Sequence, residues 1–86
     1  MPDWVCEVAS PGTGKIDRRH KLPLYARAEV SHVWLVDPLQ RTLEVLRRHG
    51  PQWLIVGTWA DDERVRAEPF DAIELELGIL WADVQV

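Results

Sequence analysis

A chain of 86 residues is enough for one small domain (residues 1–86) with a modest core, and its 47% hydrophobic and 28% charged residues exclude a disordered segment. The net charge of −4 excludes a globally basic nucleic-acid-binding domain, and no unbroken apolar run is long enough to span a membrane. Five Trp are more than one small core readily hides, which points to a partner surface.

The first predicted element is a strand at Trp4–Ala9, an apolar run stopped by Ser10-Pro11-Gly12-Thr13-Gly14. Cys6 within it is expected to be a buried, inert thiol in a reducing compartment, since a lone Cys forms no internal disulfide. Met1-Pro2-Asp3 is acidic and runs straight into this strand, so a cytoplasmic location is expected. The strand also carries Glu7. A carboxylate in an apolar strand needs a reason: an exposed face, an ion pair with the next segment, or a role as metal ligand or general base. Lys15 follows the glycine loop, but Ile16 stands where a phosphate-binding loop needs Ser or Thr, so that reading is set aside.

From Lys15 to Ala28 the chain concentrates positive charge (Lys15, Arg18, Arg19, Lys21, Arg27). Leu22, Tyr25 and Ala26 fall at helical spacing, while Pro23 removes a backbone donor; a turn near Asp17 and a firmer helix from Leu22 to Ala28 are expected. The charged face is either solvated or turned towards phosphate. Ser31–Asp37, a β-branched and aromatic run closed by Asp37-Pro38, reads as a strand covered on both faces, joined to the first by a parallel crossover. Thr42–Arg48 and Trp53–Trp59 read as a hairpin with the four-residue loop His49–Gln52. Beyond it come a short edge strand at Arg64–Ala67, a half-buried strand through Ile73, Leu75 and Leu77, and a short terminal helix on Leu77, Leu80, Trp81 and Val84. The fold class expected is α/β (α+β), a mixed sheet with one crossover helix and a hairpin.

Asp3 and Glu7 are the visible carboxylate pair. Four strand positions put them on one face but roughly 13 Å apart, whereas ligands of one Mg²⁺ must each come within about 2.1 Å of it. His20, His32 and His49 show no metal-ligand spacing and read as surface or internally satisfied side chains. A carboxylate beside Lys and Arg does suit metal-assisted phosphodiester cleavage, where positive charge meets the developing oxyanion.

Three stretches, Pro2–Pro11, Asp17-Arg18 with Lys21–Ala26, and Val33–Pro38, together resemble the Uma-type restriction endonucleases, bacterial proteins of the PD-(D/E)xK nuclease superfamily. The resemblance implies a restriction-endonuclease-like fold, a Mg²⁺ (or Mn²⁺) site and DNA as substrate. It makes Glu7 the acid of the (D/E)xK strand, both catalytic residue and metal ligand. Ala9 stands where the motif's Lys belongs, and Lys21, on the helix, takes over that catalytic charge. Arg18, Arg19 and Lys21 become the DNA-binding residues; Asp3, Asp17 and Tyr25 match further family positions. Family members carry their second metal-binding acid before the segment that starts here, so the resemblance implies the C-terminal half of a nuclease domain, truncated at its N-terminus. Two readings follow: a Mg²⁺-dependent endonuclease, or a non-catalytic remnant that serves as an interaction module. An open sheet edge and surplus Trp lead to the expectation of a homodimer, with Trp4, Trp34 and Trp53 between subunits.

Overall fold

The β2 strand, His32–Asp37, is the centre of the molecule, because its apolar residues are buried on both faces. Alternation along it sends Trp34 and Val36 to one face and Val33 and Leu35 to the other, and each pair seeds a separate core cluster. In the computed structural model, which describes residues 3–9 and 18–81, β2 is flanked by β1 (Trp4–Val8), parallel to it, and β3 (Thr42–His49), antiparallel. The antiparallel strand β4 (Gln52–Ala60) completes a four-stranded sheet of order β1-β2-β3-β4. Helix α1 (Arg18–Arg27) crosses one face. The other is covered by a two-stranded sheet, β5 (Arg64–Val65) with β6 (Leu75–Glu76), and the single-turn helix α2 (Gly78–Trp81). The architecture is α+β. Among the described residues no helix is long and apolar enough to cross a membrane.

Helix α1 runs unbroken from Arg18 through Pro23, where a turn near Asp17 and then a firmer helix from Leu22 to Ala28 were expected. Pro23 removes one backbone hydrogen bond, and the packing of Leu22, Tyr25 and Ala28 against the sheet holds the helix across the gap. The hairpin is also tighter than expected. His49 pairs directly with Gln52, leaving the two-residue loop Gly50-Pro51. Gly50 takes a positive φ of 61°, and proline fixes the second loop residue near −65°, the combination that matches strand twist in a two-residue turn. Residues 64–77 yield two short strands: Val65 and Leu77 are buried, whereas Ile73 stays exposed. Val84, expected in the terminal helix, lies outside the described residues.

The tryptophans are largely consumed within the chain. Two faces give two cores, and Trp34 and Trp81 are buried in one of them. Indole N–H groups donate to backbone carbonyls: Trp34 to Glu68, Trp53 to Leu22 and Trp81 to Asp61, at 2.7, 3.0 and 3.0 Å. Trp34 is therefore internal, not a subunit contact. Cys6 is the opposite case: it is an exposed free thiol, because among the described residues β1 is the outer strand of the sheet and nothing from the second layer covers that position. Partial desolvation, then the neighbouring Glu7 charge, hold the thiol above its ordinary range.

Candidate functional site

Period-two alternation on β1 puts Glu7 on the face of Val5, under α1, and opposite that of Trp4. On α1, Lys21 and Tyr25 stand four residues apart and so share one helical face. Glu7 is where the two faces meet. Its Oε2 accepts a hydrogen bond from Lys21 Nζ at 3.1 Å, and its Oε1 accepts one from the Tyr25 hydroxyl. The parallel β1–β2 register, with Glu7 beside Leu35, fixes the carboxylate's height against the helix.

The cluster is lopsided in exposure. The Glu7 side chain is 17% exposed and that of Lys21 48%, so the ammonium is open to solvent while the carboxylate lies beneath it. The Tyr25 hydrogen bond, and after it Lys21, hold the Glu7 carboxyl below its ordinary value against the opposing pull of desolvation. The same bond raises the Tyr25 phenol to about 12. Glu7 is thus an anion, Tyr25 a protonated donor and Lys21 a partly free cation.

Of the other sequence-predicted site residues, the one whose side chain is described does not join them. Asp3 is exposed, and what the fold uses is its carbonyl, which accepts from Ser31 Oγ at 2.6 Å and from the backbone N–H groups of Ser31 and His32. Asp17 lies outside the described residues. Arg18 and Arg19 open α1, but their side chains lie outside what is described. Ala9, at the motif's Lys position, is buried, and its N–H donates to the Val36 carbonyl at 2.8 Å.

Among the described residues no three His, Cys, Asp or Glu side chains come together in a way that could hold a metal ion. Both Glu7 oxygens already accept hydrogen bonds. The cluster as it stands therefore does not fit a divalent cation, which needs several oxygen donors around it.

A second polar cluster escaped the sequence reading. Glu68 accepts from Arg47 at 3.1 and 3.2 Å and is bonded to His32 Nε2 at 3.0 Å, while His32 Nδ1 lies 2.9 Å from Ser31 Oγ. The bond to His32, then Arg47, lowers the Glu68 pKa. Glu68 sits in a Pro-containing turn far from both partners in sequence, so no local pattern could have announced it. His32 is accordingly satisfied within the chain, as expected, and it anchors the turn that carries Phe70. The rings of Trp4, Trp34 and Phe70 meet edge to face, with centroids 5.1 to 5.8 Å apart, beside an apolar cleft of about 230 Å³ on the face away from Glu7.

Fold and site together define an α+β protein whose mixed sheet holds one carboxylate against the tyrosine and lysine of its crossover helix. The model of the Uma2 family, described as “Putative restriction endonuclease”, matches residues 1–80. The chain belongs to that family. No curated protein matches it.

Proposed function

We propose that this chain acts on DNA as an endonuclease domain, with Glu7 and Lys21 as its catalytic residues and Tyr25 positioning the carboxylate. The observation that carries the reading is the Glu7–Lys21 contact at 3.1 Å with the lysine half exposed. An ammonium held at a fixed point and open on one side can meet the charge that develops on a phosphodiester oxygen. Arg18 and Arg19, in the first turn of α1, add two cations to the segment that carries Lys21 and are the proposed phosphate contacts. The overall charge of −4 makes this local concentration the attraction for DNA. A Mg²⁺ or Mn²⁺ ion at Glu7 would have to draw its other ligands from beyond the described residues.

A second reading rests on the same contacts: with both oxygens occupied, Glu7 is a latch that closes α1 onto β1, and the domain is a non-catalytic interaction module. Nicking of supercoiled DNA, with Mg²⁺ or Mn²⁺ added, separates the two. The endonuclease reading expects cleavage by the native chain and its loss in Glu7→Gln and Lys21→Ala, with circular dichroism unchanged. Absence of cleavage, together with no Glu7-dependent heat on titrating Mn²⁺, would leave the latch.

A further inference from the structure

We propose that β4 is a self-association edge, and that two copies of the chain join by antiparallel pairing of β4 with β4 across a two-fold axis. This edge stands apart from the proposed endonuclease site, since β4 and the Glu7-bearing β1 lie at opposite ends of the strand order.

Strand β4 has nine residues, with no charged residue and no proline among them. Its inner edge pairs with β3 along its whole length, and among the described residues nothing pairs with its outer edge. A row of unpaired backbone donors and acceptors is satisfied best by another extended chain. Natural edge strands are commonly shielded by lysine, proline or an inward-pointing charge; β4 has only the irregularity where it passes Val45 and Leu46. At one end the edge is closed, because Glu63 Oε2 accepts from the Ala60 N–H at 2.8 Å and Glu63 N–H donates back to the Ala60 carbonyl at 3.3 Å. From Trp53 to Thr58 no such cap exists among the described residues, and Leu54 and Ile55 there are 42% and 61% exposed.

Charge selects a second copy of the same chain as the occupant. One end of β4 adjoins Arg48 and His49, and the other runs into Asp61, Asp62 and Glu63. The Arg48 guanidinium is bonded to the carbonyls of Val30 and Gly50, and among the described residues no carboxylate pairs with it. Antiparallel pairing centred near Val56 brings the Arg48–His49 end beside the partner subunit's Asp61 and Asp62, and two-fold symmetry repeats the contact at the other end. Parallel pairing would set acid against acid. The joined strands would extend each four-stranded sheet into its partner's.

Sedimentation velocity over a micromolar concentration series tests this. The native chain is expected to dimerise, and Ile55→Lys, which sets like charges across the two-fold axis, to raise the dimer dissociation constant about tenfold or more with circular dichroism unchanged. Asp62→Lys should weaken the dimer as well, and adding His49→Asp to it should restore association; both residues are exposed, Asp62 in a turn and His49 at the end of β3, and this pair carries the test if Ile55→Lys folds poorly. A monomer throughout the series overturns the proposal, including one that accepts a strand from a different protein. So does a dimer indifferent to Ile55→Lys, or a loss in Asp62→Lys that His49→Asp does not repair.

Discussion

Glu7 holds two donors that pull its chemistry in one direction. Because Tyr25 gives its proton to the bond, deprotonating the phenol would set two anions against each other, and its pKa rises from 10.0 to about 12. The chain has a single tyrosine, so tyrosinate absorbance against pH reads this group alone. The native protein should titrate near 12, and Glu7→Gln should bring the midpoint back towards the ordinary value. A folded pKa above the unfolded one adds stability that is complete below pH 10.0 and is lost as pH rises through the folded value. Tyr25→Phe removes the larger of the two contacts to Glu7 and should cost about 1 kcal/mol, read as a fall in melting temperature.

At the scale of elements, β4 shows how one residue without a side chain admits a large one. A Cβ built on Gly57 would lie 2.1 Å from the Trp59 ring, far inside contact distance. The indole therefore rests on the bare backbone of the residue two places before it, on the same face of the strand. Gly57→Ala must displace the ring, an overpacking expected to cost about 1–3 kcal/mol. Thermal melts measure the loss, and a changed near-ultraviolet dichroism would report the moved indole. An unchanged melting temperature would mean that Trp59 can leave without consequence for the sheet.

The whole molecule is tied together by two carboxylates, one on each face of the sheet. Glu7 joins β1 to α1, and Glu68 joins the turn after β5 to His32 on β2 and Arg47 on β3. Both have lowered pKa values, so each contributes stability that is present above the ordinary 4.5 and is lost as pH falls through the folded value. Partial exposure screens both contributions. Melting temperature should therefore drop on acidification below that range, and the drop should flatten in a Glu7→Gln, Glu68→Gln double variant. Between these ties lies a shared apolar layer. Leu77, fully buried, packs the small sheet onto the large one, and Leu77→Ala should cost about 2–5 kcal/mol. A single cooperative transition in that variant would show that the two sheets melt as one unit.

By itself the sequence determined the strand at β1, the doubly covered β2 and the crossover between them, because runs such as Trp4–Ala9 and Val33–Val36 carry their period locally. It also singled out Glu7, whose charge in an apolar strand demanded a partner, and it contained the motifs by which the family was recognised. The tertiary structure decided who that partner was: Lys21 and Tyr25 share a helical face, but only the parallel docking of β1 on β2 beneath α1 brings that face over Glu7. It likewise exposed Cys6, since an apolar run does not reveal that its strand lies at an edge. The Glu68 cluster was invisible for the same reason, joining residues from three separate segments. Local periodicity specifies which face a side chain takes; what stands opposite that face is a long-range outcome, set by how the layers pack.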